Sequence, residues 1–111
     1  MSGARFDELI HSPTRLAIVA MLAAAEWASF AVIRDGLGVS DSALSKQLAL
    51  LENAGYVEIR KSFVGKRPRT TARLTPAGRA AFAGHVAALE ELLARSGVPL
   101  SSTGSSTGPP G

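Results

Sequence analysis

The chain has 111 residues, 46% of them hydrophobic, which suffices for one domain with a small core that a second copy would help to complete. It contains no cysteine, so a disulfide framework, a thiolate metal site and a cysteine nucleophile are all excluded. The net charge of +3 is unevenly placed: residues 60–73 hold six of the twelve Lys and Arg and none of the nine acidic residues, so the remainder of the chain is net negative.

The start, Met1 to Glu8, lacks the apolar core of a signal peptide, and no apolar run approaches the length of a membrane span. The expected compartment is therefore the cytoplasm, with no membrane partner. Ala4 to Ile10 is expected to form a short helix with Phe6, Leu9 and Ile10 facing inward. Ser12-Pro13 is an N-cap followed by proline at the first helical position, opening a helix from Pro13 to about Ala25 that is apolar almost all round and hence central to the core. His11, just before this cap, reads as a local hydrogen-bonding or surface residue. Glu26-Trp27-Ala28 is a connection, and Trp27, the only tryptophan, suits the edge of the core better than a subunit interface or a small-molecule pocket. Ser29 can cap a helix over Phe30–Leu37 with the stripe Phe30, Ile33 and Leu37; Gly38 then supplies a turn, and Val39 can tuck between two helices.

The next stretch has the punctuation of one short helix from about Asp41 to Ala54, with Ser40 as N-cap and Gly55 in the left-handed position that ends it. Leu44, Leu48 and Leu51 fall on one buried stripe. Ser42, Lys46, Ala49 and Asn53 lie opposite, with Ser45 at the edge. A slim outer face with one cation and no carboxylate suits entry into a DNA major groove, although an ordinary amphipathic surface helix has the same pattern.

Tyr56 to Lys61 alternates apolar and polar residues and reads as a strand, and Arg73-Leu74-Thr75 ends a second short run. Between them lies Ser62 to Ala72, with Gly65 and Pro68 as turn markers. A helix followed at once by a basic β-hairpin is the order of a winged helix-turn-helix, a mainly α fold with a small hairpin. The segregated positive charge suits a polyanion, and a solvated charged loop is the plainer alternative.

Thr75-Pro76 repeats the cap-then-proline signal and opens a last helix to about Ala94. Phe82, Val86, Leu89 and Leu93 form one stripe, widened by Leu92, and His85 beside it reads as an interface or surface histidine. An apolar helix of this kind either closes its own domain or pairs with a second copy. The winged-helix domain is thus expected over residues 1–95. From Ser96 the character changes: residues 101–111 are Ser, Gly, Thr and Pro alone and have too little to bury, and 96–111 is expected to be a disordered tail.

Leu44-Ser45-Lys46-Gln47-Leu48, then Leu51-Glu52-Asn53-Ala54-Gly55-Tyr56-Val57, then Leu74-Thr75-Pro76-Ala77-Gly78-Arg79 together resemble the signature of winged-helix repressors of the MarR and ArsR superfamily, most similarly its short stand-alone regulators. The resemblance covers about residues 6–93. It implies a homodimeric repressor binding a pseudo-palindrome in double-stranded DNA. It further implies that Ser42, Ser45, Lys46 and Ala49 face bases or phosphates, that Lys66, Arg67 and Arg69 are wing contacts, and that Phe82, Val86, Leu89 and Leu93 build the dimer. Two departures stand out. The Asp-x-Arg of typical MarR wings is replaced by Gly65-Lys66-Arg67-Pro68-Arg69, and the only histidines, His11 and His85, lie in different elements, so zinc or arsenic sensing is not expected and no cofactor is assigned. Room for an unidentified small-molecule effector is conceivable between the first helix, Trp27 and the terminal helices.

Two other binding classes fit less well. A winged-helix protein-interaction module would bind with weak salt dependence, and a nonspecific DNA-binding protein would ignore sequence. An enzyme has no support, since there is no glycine-rich phosphate loop and no pair of carboxylates flanked by a base.

Overall fold

The computed structural model describes residues 3–97. The expected tail lies, from residue 98 on, outside the described residues. In chain order the elements are α1 (Glu8–His11), α2 (Pro13–Ala23), β1 (Ala28–Ser29), α3 (Phe30–Leu37), α4 (Asp41–Asn53), β2 (Val57–Val64), β3 (Arg67–Leu74) and α5 (Pro76–Ser96).

The first helix is shorter than its sequence suggests, for a reason of hydrogen bonding. The Arg5 N–H is committed to the Gly84 carbonyl at 2.8 Å and the Asp7 N–H to His85 Nδ1 at 2.9 Å, so residues 3–7 lie against α5 instead of coiling. Asp7 then caps α1, its Oδ1 accepting from the Ile10 N–H at 3.1 Å. Phe6 consequently does not face inward but remains 44% exposed. α2 stops two residues early because the Ala24 and Ala25 N–H groups tighten onto the Met21 and Leu22 carbonyls.

Ala28 and Ser29, expected as connection and cap, also form a strand: they pair antiparallel with Ala72 and Thr71 of β3. The sheet order is β1-β3-β2, and the β2–β3 ladder runs from Val57↔Leu74 out to Val64↔Arg67. Pro68 is therefore a strand residue, not a turn marker. It is tolerated because β1 reaches only Thr71 and Ala72, leaving β3 an open edge at Pro68. The turn consists of Gly65 and Lys66, with Gly65 at φ +65° and Lys66 not at positive φ, the arrangement of a two-residue hairpin that places glycine first.

The core is formed by Ile10, Ile18, Val19, Leu22, Ile33, Leu44, Leu48, Leu51, Val57, Ala72 and Leu74. Each fully buried Leu or Ile contributes about 2 kcal/mol as an upper estimate. The three leucines of α4 thus hold that helix with more energy than its Ser40 cap, worth about 1 kcal/mol. Burial attaches α4, and polar contacts aim it.

Candidate nucleic-acid interface

α4 is aimed by contacts at its N-terminus and at its middle. At its N-terminus the Arg34 guanidinium of α3 bridges Asp35 and Asp41, each at 2.9 Å, and these carboxylates hold the Arg34 pKa above its ordinary value. Gly38 ends α3 in the left-handed conformation, with its N–H on the Arg34 carbonyl. Ser40 caps α4, its hydroxyl accepting from the Ala43 N–H at 3.1 Å. In the middle, Arg15 of α2 donates to the Leu9 carbonyl at 2.6 Å and to Gln47 Oε1 at 2.8 Å, tying α1, α2 and α4 together. Neither Arg15 nor Arg34 is marked by any motif; only the approach of separate helices identifies them.

Ser42, Ser45, Lys46 and Ala49 are all exposed on the outer side of α4. Ser45 and Ala49, with Asp41, Glu52, Lys61 and Thr70, line an open concavity of about 760 Å³ between α4 and the hairpin. The face is less free of carboxylates than the helical wheel implies, because Glu52 and Asp41 border this groove. Glu52 can accept a hydrogen bond from a cytosine amino group, whereas Asp41 is already bound to Arg34.

The hairpin sorts its charges by alternation. Lys61, Phe63, Pro68 and Thr70 share the face that continues from the buried Val57, Ala72 and Leu74. Arg60, Arg67, Arg69 and Arg73 share the opposite one with Glu58. Lys66 occupies the turn, so the three expected wing residues are exposed at the tip and just behind it. Arg73 is braced to Glu58 at 2.8 Å, an ion pair at the base of the hairpin where the family pattern would put one nearer its tip. The guanidinium groups of Arg60 and Arg73 lie 4.3 and 5.1 Å from the Trp27 ring centroid. Trp27 is thus a half-buried cation–π platform on the outer face of the sheet and not part of the core.

On the other side of the molecule, Phe82, Val86, Leu89 and Leu93 are all half-buried along α5, and Leu92 beside them is 51% exposed. His85 is fully buried within the protomer, in place of the interface or surface position its sequence context suggested. His11 Nδ1 lies 3.4 Å from His85 Nε2, and Phe6 packs on both rings at 4.7 and 4.8 Å. Tyr56 donates to Asp7 Oδ2 at 2.5 Å in the same cluster. Among the described residues no group of three or more His, Cys, Asp or Glu is placed to hold a metal ion. A concavity of about 550 Å³ lies between residues 3–9 and α5, with Tyr56 at its edge, but Trp27 does not line it.

This geometry of helix, turn, helix and basic hairpin has relatives. The pattern of the winged helix DNA-binding domain family matches residues 14–93. The chain belongs to that family. An uncharacterized protein of Methanocaldococcus jannaschii is 32% identical over 79 residues, covering 71% of this chain and 86% of that one. A transcriptional regulator homologue of Pyrococcus horikoshii shares the winged-helix fold with a TM-score of 0.75 at 24% identity, over 81% of this chain and 89% of that one. A zinc-responsive MarR family member, ZitR of Lactococcus lactis, superimposes with a TM-score of 0.57 at 25% identity, over 77% of this chain and 58% of that one. The protein is a MarR-like winged-helix regulator and not an enzyme. No helix among the described residues is long and apolar enough to cross a membrane.

Proposed function

We propose that the protein is a homodimeric, sequence-specific transcriptional repressor that acts on double-stranded DNA in the cytoplasm. Ser42, Ser45, Lys46 and Ala49 of α4 read the major groove, while Lys66, Arg67 and Arg69 of the wing hold the adjacent backbone or minor groove. The observation that carries this reading is the concavity flanked by the exposed side of α4 on one wall and the hairpin on the other. Six cations, Arg60, Lys61, Lys66, Arg67, Arg69 and Arg73, stand on that hairpin, with no carboxylate between residues 60 and 73. The winged-helix unit runs to the end of α5 at Ser96, one residue past the boundary at 95 expected from the sequence.

Two copies pair through α5, burying Phe82, Val86, Leu89 and Leu93. Pairing supplies a second α4 about one DNA turn, roughly 34 Å, from the first. An effector, if one acts, has the concavity between residues 3–9 and α5 as its available space.

Selection of bound sequences from a randomised duplex pool tests the reading. The expected result is a two-fold symmetric motif with half-sites about 10 bp apart, altered in its inner bases by Lys46→Ala or Ser45→Ala. Enrichment of no motif would contradict sequence-specific recognition, and enrichment of a single asymmetric half-site would contradict the dimer.

A further inference from the structure

The wing carries an apolar feature that phosphate binding does not use. Phe63 is 71% exposed and Val64 is 56% exposed, at the far end of a hairpin otherwise occupied by cations. Burying such an aromatic ring is favourable, so its presentation to solvent is a feature that a partner surface could exploit.

Three observations indicate which surface. Phe63 is paired with Pro68 across the hairpin, on the face that also holds Lys61 and Thr70, and those two residues line the groove beside Ser45 and Ala49 of α4. The ring therefore extends the groove-lining face outward, on the side toward which α4 presents its exposed residues. β1 stops at Thr71 and Ala72, so the outer hairpin projects without a third strand, on a narrow two-residue Gly65-Lys66 turn. Lys61 shares this face, Lys66 occupies the turn, and Arg67 and Arg69 line the opposite face of the same hairpin, with no carboxylate between residues 60 and 73. An exposed aromatic ring on a thin hairpin that carries cations on both faces is complementary to a nucleic-acid minor groove, where side chains such as Phe insert between base steps and kink the duplex.

We propose that Phe63 enters the minor groove beside the site contacted by α4 and wedges between stacked base pairs, so that binding bends the DNA. The inference rests on the DNA-binding reading above and adds to it a deformation of the duplex. It also adds a source of sequence preference at positions that α4 does not touch, because pyrimidine–purine steps unstack most easily.

The test uses the full chain and a duplex of about 30 bp from upstream of its own coding sequence, labelled with a donor and an acceptor at its ends, beside an unrelated duplex of equal length. Energy transfer reports the bend, and titration at two salt concentrations reports affinity and salt slope. The wild-type protein is expected to raise energy transfer on binding. Phe63→Ala is expected to return transfer to the free-DNA value and weaken binding about tenfold, within the range for removal of one stacked aromatic, with the salt slope unchanged because no charge is removed. Phe63→Leu, which keeps an apolar wedge, is expected to retain most of the bend. Straight DNA in a tight wild-type complex, or an undiminished bend with Phe63→Ala, would overturn the wedge while leaving DNA binding intact. Loss of self-association on Phe63→Ala with the bend unaltered would assign the ring to a contact between copies and overturn the wedge as well. Absence of wild-type binding to either duplex would overturn both readings together.

Discussion

The backbone N–H of Asp7 donates to Nδ1 of His85 at 2.9 Å, fastening the N-terminal segment to the middle of α5 across 78 positions of sequence. Because Nδ1 accepts, the proton of a neutral His85 ring resides on Nε2, which faces His11 Nδ1 at 3.4 Å. His85 is fully buried, so this polar chain is satisfied inside the protein. Gly84, next to it, admits the segment: a Cβ there would stand 3.1 Å from the Gly3 carbonyl oxygen. Replacing His85 by Leu keeps much of the volume but leaves the Asp7 N–H without its acceptor. The expected cost is about 1–3 kcal/mol, read as a lower urea midpoint, with faster amide exchange at Arg5 and Asp7. An unchanged midpoint would show that the segment is not fastened there.

The neighbouring pair Asp7 and Tyr56 predicts how stability depends on pH. Burial pushes the Asp7 carboxyl up, but hydrogen bonds from the Tyr56 hydroxyl and the Ile10 and Leu9 N–H groups, with a smaller electrostatic contribution from His85, outweigh it and leave the group below its ordinary value. Such a group stabilises the fold above its unfolded pKa, near 3.9, and that contribution is lost as pH falls through the folded value. Tyr56 is raised, first by its hydrogen bond to Asp7 and then by burial, so its contribution is present below about pH 10 and is lost as pH rises through the folded value. Tyr56→Phe is therefore expected to lower the urea midpoint between these limits, by about 1 kcal/mol in a half-exposed site, and to flatten both the acid and the alkaline limbs. A parallel shift with both limbs retained would place the pH dependence elsewhere.

The wing arginines and the α4 residues should separate in their effects on DNA binding. Arg67→Ala and Arg69→Ala are expected to weaken binding to every duplex and to reduce the salt slope by about 0.9 for each phosphate no longer neutralised. Lys46→Ala or Ser45→Ala should instead change which sequence is preferred. Electrophoretic titrations at several salt concentrations distinguish the two patterns. Wing variants with wild-type slope would remove the electrostatic role assigned to them.

Leu89→Glu places a charge in the middle of the α5 stripe. If α5 pairs two copies, sedimentation should change from a dimer to a monomer while far-ultraviolet circular dichroism stays helical, and affinity for a two-fold site should fall by at least about tenfold. A dimer that persists with Leu89→Glu would move the interface away from this stripe.

The parts of the fold that were legible in the sequence are those determined by near neighbours. Ser29, Ser40 and Thr75 each accept from the N–H three residues on, as their positions before helical patterns imply. The Leu44, Leu48 and Leu51 stripe is buried as its spacing requires. What escaped the sequence depends on distant partners. Ala28 and Ser29 are a strand only because β3 lies alongside, and Trp27 leaves the core only because Arg60 and Arg73 cover its ring. His85 has the periodicity of a surface or interface residue, and its burial follows from the arrival of residues 3–7. At the candidate interface, composition exposed the cations and the small α4 residues. The separation of Lys61 and Phe63 from Arg67 and Arg69 onto opposite faces required the register of the hairpin, which Gly65 and Lys66 determine.

The most direct test of sequence-specific repression is a titration of the purified protein against its own upstream DNA and an unrelated fragment of equal length, each at two salt concentrations. The account predicts tight binding to its own fragment alone, weakening steeply as salt rises. Equal binding to both fragments would contradict sequence-specific recognition, and no binding at low salt would contradict the DNA-binding function itself.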